Sequence, residues 1–413
     1  MKKTILCVVI GFVALSVLGI GWVRAEAKEY AVPSVCDFSG PFADIMPSIA
    51  DGRDAVIRWW NDIEGKKLGV KLVHKKYDMR YDPTVVASMW PGILSGLKPI
   101  ALLGLGGADV AALQERLPKD KVPAFYGPPT YGYCWLPNQW IFSARPTYIH
   151  EYMACLVWYI NQHPEKRPVK VATMGNQASP APLDIVNGVR HYVEKVLEPK
   201  GMAKMVATEW IDMRPVDVSS QIKNIIDAKA DFIFGLCTST MSAAAIRAQQ
   251  LHGVNIPTIS SPWHTIWSVG RAMKTYKPWE GHYVPSGHIP ITEKDSKAYS
   301  FYKLLQEKYG IKADWNPMNL MGVHQTMLMV RSIERVAKKM GGENVTGQAV
   351  YDAIFAKPFT EKELMGLLPT LHFTKDAPFP SIEPKIKIET VRDGKYVLAT
   401  PEWVPVPADV EKW

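Results

Sequence analysis

Between residues 30 and 260 this chain alternates short apolar runs with longer stretches of helical periodicity, and it does so twice. Strand-like runs fall at 30–35, 70–77, 99–103 and 122–126. Between them, 51–64 places Val56, Trp59, Trp60 and Ile63 at i, i+3, i+4 and i+7, the apolar stripe of a helix. A second helix is expected over 83–96, interrupted at Pro91. A third is capped by Asp109 and carries Val110, Leu113 and Leu117. After Arg145-Pro146-Thr147 the rhythm resumes, with helices at 148–161, 182–197, 218–228 and 241–251 and strands at 169–174, 205–211, 232–236 and 257–259. Strands separated by helices of this length form parallel sheets covered on both faces. Two such runs imply two doubly wound α/β domains. Ligands of open α/β sheets bind beyond the carboxyl ends of the strands, so the loops that matter are 36–45, 104–109, 126–135, 174–182, 237–242 and 260–267.

The amino terminus has a different character. Lys2 and Lys3 precede an apolar run over 5–20, and Val23-Arg24-Ala25 puts small residues at −3 and −1, with a second such site at Ala25-Glu26-Ala27. This is the pattern of a cleaved export signal over 1–25, because a permanent span needs about 20 apolar residues with suitable flanks. The mature chain is expected to be released without a membrane anchor. At 413 residues, 47% hydrophobic and 21% charged, it is long enough for two cores. Of its formal charge of +8, three positive charges lie in the leader. The rest are dispersed with no basic cluster, which argues against a nucleic-acid partner.

No catalytic or metal-binding constellation emerges. The cysteines Cys36, Cys134, Cys155 and Cys237 form no CxxC pair. Cys155 reads as a small buried hydrophobe, and a Cys36–Cys134 bridge is left open. G-x-S-x-G, G-x-x-x-x-G-K-[ST] and HExxH motifs are all absent. His264, His282 and His288 are neighbours in sequence but lack an acidic partner at ligand spacing. His74 and His324 read as structural. Asp51 with Asp54, and Asp78 with Asp82, read as caps of helices and turns. A methionine-rich helix over 314–339 reads as core filler, and 382–397 as a hairpin around Arg392-Asp393-Gly394, packed on a sheet edge.

Six short motifs carry a family resemblance. They are Phe38-Ser39-Gly40-Pro41-Phe42-Ala43, Tyr77-Asp78-x-x-Tyr81-Asp82-Pro83, the glycine turn at 104–108, Val122-Pro123-Ala124-Phe125 through Thr130, Phe142-Ser143-Ala144-Arg145-Pro146 and Asp231-Phe232-Ile233-Phe234. In this order they resemble the periplasmic solute-binding proteins of the leucine/isoleucine/valine-binding type, which serve ABC transporters. The resemblance implies a type I periplasmic-binding-protein fold, two doubly wound parallel-sheet lobes joined by three crossings. Lobe one is expected at 26–145 and 286–371, lobe two at 146–285 and 372–413. It also implies a monomeric periplasmic receptor that delivers a small-molecule ligand to membrane permease subunits, with no cofactor, no metal and no turnover.

Departures from the pattern bear on the ligand. In the amino-acid binders a serine pair and a threonine hold the ligand carboxylate; here Gly107-Ala108 replaces the serines and Thr130 is kept. The acidic partner of the ligand ammonium falls at Pro262, beside Trp263 and His264, and the tyrosine of the 174–182 loop is replaced by Ser179-Pro180. Aromatics crowd these loops, at Tyr126, Tyr131, Tyr133, Trp135, Trp263 and Trp267. The expected site comprises Ile45, Ala108, Asp109, Tyr126, Gly127 and Pro128, together with Thr130, Ser179, Thr238, Trp263 and His264. Thr130 and the backbone around Ala108 and Pro128 are expected to take the polar group, with Trp263, Tyr126 and Ile45 as walls. The expected ligand is a small organic acid or amide, aromatic in character and without an α-amino group. The alternatives are a sensor of the same fold, or a branched-chain amino-acid binder in which Glu280 or Asp212 reaches the pocket.

Overall fold

The computed structural model describes residues 26–127, 140–263, 266–376, 379–380 and 382–410. The expected signal segment, together with Cys134, Tyr131, Tyr133 and Trp135, lies outside them.

Two sheets organise the chain. The first is entirely parallel, in the order β2-β1-β3-β4-β5, with β1 at Lys28–Cys36, β2 at Val70–Asp78, β3 at Leu102–Leu103, β4 at Ala124–Tyr126 and β5 at Ile141–Ser143. Strands β3, β4 and β5 are short and wholly buried, as expected where helices cover both faces. The second sheet has β7 (Ala203–Trp210), β6 (Val169–Gly175) and β8 (Phe232–Phe234) in parallel. Parallel bridges Ile233–Thr258 and Ile259–Tyr283 extend it towards β9 (Tyr283–Ser286).

The tail completes this second sheet. β10 (Lys385–Arg392) pairs antiparallel with β9 and with β11 (Lys395–Leu398), and β12 (Val404–Pro405) pairs with its start. The Asp393-Gly394 turn between β10 and β11 has positive φ at both residues, the turn geometry that suits the twist of a hairpin.

The hydrophobic cores follow the crossings of the chain. One core under the first sheet gathers residues from Tyr30 to Ala144 and again from Ile289 to Phe373. A core under the second sheet gathers residues from Tyr148 to Ile259 and again from Ile386 to Val410. The helix Pro317–Met340 packs along the helix Met46–Trp60 and is buried along most of its length, including Met318, Met321, Met327 and Met329.

Several local expectations are corrected. The first helix begins at Met46, so Asp51 and Asp54 are not caps. Asp51 accepts from the Lys312 amide, and Asp54 binds His74 Nδ1 and Lys76 Nζ, each at 2.6 Å. The helix Pro83–Leu97 runs unbroken through Pro91. The missing proline N–H leaves the Ala87 carbonyl without its helical donor, and Arg116 Nη1 donates to it at 3.3 Å. Asp82 does cap this helix, accepting from the Thr84 amide. Asp109 lies inside the helix Gly107–Leu113 rather than ahead of it, and Leu117 begins a separate turn. Cys36, Cys155 and Cys237 are free, buried thiols.

Candidate ligand-binding site

Two loops at the carboxyl ends of the first sheet are shaped by buried polar and charged side chains. After β1, Asp37 accepts from the Gly40 and Phe42 amides at 2.5 and 2.8 Å, curling 37–42 back on itself. After β3, Asp109 accepts from the Leu105 and Gly106 amides at 3.0 and 2.8 Å. Burial pushes the Asp109 carboxyl up, and those amides oppose the shift. Beneath the same loop Arg53 is fully buried and donates to Ser34 Oγ at 2.5 Å, to the Val35 carbonyl at 3.2 Å and to the Gly104 carbonyl at 2.6 Å. Sequence periodicity places Arg53 on the first helix and gives no sign of this role.

The two lobes meet over these loops. Arg214 Nη2 donates to the Gly40 carbonyl, and Ser239 Oγ to Asp44 Oδ2 at 3.2 Å. Gly107 faces Ala181 so closely that a β-carbon on Gly107 would lie 3.0 Å from the Ala181 nitrogen.

Between the lobes remains a small cavity of about 40 Å³. Lobe one supplies Phe42, Ile45, Tyr81 and Leu105, the backbone of Gly106-Gly107, and Met321. Opposite stand Tyr148, Ala181, Pro182, Cys237 and Trp263. None of these lining residues is charged. Phe42 meets Tyr81 edge to face at 4.7 Å. Burial raises the Tyr81 phenol well above its usual value, so it stays protonated. Prolines at 180 and 182 begin the helix Pro180–Tyr192, which removes two of the N–H groups that a helix start ordinarily offers an anion.

Of the residues expected from sequence, Ile45 and Trp263 line the cavity. Ala108 is buried one position behind the lining backbone. Asp109 is committed to its loop, and Thr238 caps the helix Ser239–Leu251, accepting from the Met241 amide and donating to the Met213 carbonyl. Tyr126 packs its ring over Gly104, and Gly127 lies against the Trp263 ring, where a β-carbon would fall 2.2 Å from Cη2. Ser179 precedes the lining Ala181-Pro182 turn with its hydroxyl buried. Pro128, Thr130 and His264 lie outside the described residues. Glu280 is not near the cavity, because it accepts from the Asp393 and Gly394 amides. Asp212 lines a separate surface groove. Phe42, Tyr81, Tyr148 and Met321 are additions: the first two sat inside the quoted motifs, and Met321 hid in a helix read as core.

Behind Trp263 lies the crossing between lobes. Arg145 Nε donates to Glu151 Oε1 at 2.6 Å, its Nη2 donates to Glu151 Oε2, and the Gly287 amide of the second crossing donates to Glu151 Oε1 at 2.8 Å. Burial pushes the Glu151 carboxyl up to about 7 against the pull of Arg145. No group of side chains suited to a metal ion occurs among the described residues.

The α/β architecture is shared by known proteins. A periplasmic binding protein family model matches residues 29–375. The chain belongs to the periplasmic binding protein family. Solved structures agree on the fold. An ABC transporter substrate-binding protein from Aeropyrum pernix superposes with a TM-score of 0.77 at 18% identity, over 93% of this chain and 97% of the other. A branched-chain amino acid ABC transporter protein from Thermus thermophilus with bound valine gives 0.76 at 16% identity, over 93% and 98%. A solute-binding protein from R. palustris in complex with 4-hydroxybenzoate gives 0.71 at 16%, over 92% and 99%. No curated protein matches this chain in sequence. No helix among the described residues is long and apolar enough to cross a membrane.

Proposed function

We propose that this periplasmic binding protein is the exported receptor of an ABC importer. It closes its two lobes on a small, largely apolar, aromatic ligand that lacks an α-amino group, and passes it unchanged to membrane permease subunits. The observation that carries the reading is the interlobe cavity, walled by Phe42, Tyr81, Tyr148 and Trp263, with no charged lining residue among the described residues. An ammonium placed there has no carboxylate partner, and burying it unpaired is costly. A carboxylate or carbonyl would rely on the backbone at Gly106-Gly107 and on Thr130, which the family resemblance assigns to the ligand's polar end. The structural neighbours support breadth of ligand in this fold, since one holds valine and another 4-hydroxybenzoate.

A thermal-shift panel of aromatic alcohols, amides, carboxylates and amino acids tests the reading. A true ligand at 100 times its Kd stabilises by about 2.7 kcal/mol and compacts the protein in small-angle scattering. Preference for amino acids, or conversion of a bound solute to product, would overturn it.

A further inference from the structure

Next to the apolar cavity lies a cluster of buried polar side chains that the cavity wall does not explain. Trp263 Nε1, Arg145 Nη1, His288 Nε2 and both ring nitrogens of His324 are sealed from solvent and have no hydrogen-bond partner among the described residues. Their side chains are in mutual contact. The Trp263 ring centroid lies 5.6 Å from that of His324 and 6.3 Å from that of His288, and the two imidazoles are 5.1 Å apart. Arg145 Cζ sits 4.1 Å from the Trp263 ring. These residues come from both crossings, the 261–263 loop and the helix Pro317–Met340, and only the tertiary fold assembles them. Unpartnered buried donors are unfavourable, and several in one place are rare in native proteins. Leucine or phenylalanine would serve packing better, so the polar groups point to function held at the expense of stability.

Hydrogen-bonding capacity specifies what fits. Arg145 Nη1 and Trp263 Nε1 only donate. His288 Nδ1 donates to the Ile289 carbonyl at 2.8 Å, so the neutral ring presents a lone pair at Nε2. Burial holds His288 and His324 neutral, and Glu151 already balances the charge of Arg145. A carboxylate, which only accepts, would meet the His288 lone pair; an ammonium would meet Arg145. A hydroxyl accepts from Arg145 or Trp263 and donates to the lone pair of neutral His288 or His324.

The geometry points to a polar subsite, partitioned from the cavity by the Trp263 indole, that takes the phenolic hydroxyl of a planar aromatic ligand. This deepens the receptor reading above and rests on it. Trp263 belongs to both places, and Met321, which lines the cavity, lies one helical turn before His324. The ligand ring sits among Phe42, Tyr81 and Tyr148, and its hydroxyl reaches the cluster as the indole shifts.

Calorimetry of the mature protein with 4-methylphenol and toluene tests this, alongside the variants His324→Leu and Trp263→Phe. The wild type should favour the phenol by about 10-fold or more, a hydrogen-bond discrimination. His324→Leu should bring the ratio close to one, keep toluene affinity and melt at a higher temperature without ligand. Trp263→Phe, which keeps a ring and removes only the indole N–H, should lower the ratio with the fold intact. Equal binding of the two probes, no binding of the phenol, an unchanged ratio in both variants or a lower melting temperature for His324→Leu would each overturn the subsite. If other solutes still stabilise the protein in the thermal-shift panel, the receptor reading survives that loss; if none does, both fall.

Discussion

The guanidinium of Arg145 stacks 4.1 Å from the Trp263 ring while the same group grips Glu151, itself bonded to the Gly287 amide. One residue thus touches the ligand cavity wall and two of the chain's crossings between lobes. Arg145→Met leaves Glu151 buried and unpaired, and should destabilise by about 3–5 kcal/mol. The double variant Arg145→Met/Glu151→Leu should recover most of that loss. Urea unfolding of both variants checks it, and equal stability of the two would show that the ion pair is not the source.

Closure depends on small residues at Gly107 and Ala181. Ala181→Phe places a ring where the lobes approach within contact distance and should weaken ligand binding by about 100-fold or more. The position flanks the cleft, so the unfolding midpoint should move by less than about 1 kcal/mol. Scattering should show the variant failing to compact with ligand; compaction equal to wild type would place the binding site elsewhere.

Leucine, isoleucine and valine should bind at least about two decades more weakly than an amine-free ligand of similar size, because no acidic side chain lines the cavity among the described residues. Micromolar leucine binding in calorimetry would mean that an acidic residue reaches the ligand from outside this wall.

Acid should destabilise the fold through its histidines. Burial holds His150, His282 and His288 at about 3, whereas the unfolded value is near 6.5. A depressed histidine stays neutral when folded, so stability falls as pH drops below about 6.5, by up to about 1.4 kcal/mol per pH unit for each. Glu389 acts in the opposite sense. Burial raises its carboxyl to about 7, so its contribution is largest at low pH and is lost as pH rises from about 4.5 to 7. Denaturant midpoints from pH 4 to 8 should show Glu389→Gln losing stability more steeply than wild type on acidification; parallel curves would contradict the assigned shift.

Much of the architecture was legible in the chain. The stripe Val56, Trp59, Trp60 and Ile63, the runs 70–77 and 232–236, and the Asp393-Gly394 turn all announce local structure, because periodicity and turn stereochemistry are properties of neighbours. Pro91 misled for the complementary reason. Its interruption is a local rule, and the freed Ala87 carbonyl finds its donor in Arg116, 29 residues away.

The site was legible only in part. Ile45 and Trp263 were foreseeable from strand-end loops, but Tyr148 and Met321 belong to helices whose apolar faces look like any core face. The charges that shape the loops, Arg53 and Asp109, resembled a helix residue and a cap.

Hydrophobic period and turn chemistry thus determined, from sequence alone, a strand–helix rhythm written twice and the family pattern laid over it. What tertiary structure decided is which side chains meet. Arg145, Trp263, His288 and His324 are spread over 180 positions of the sequence, and their contact arises because the crossings bring both lobes to one point. No local pattern encodes that meeting, since burial and hydrogen-bond partnership are set by residues distant in the chain.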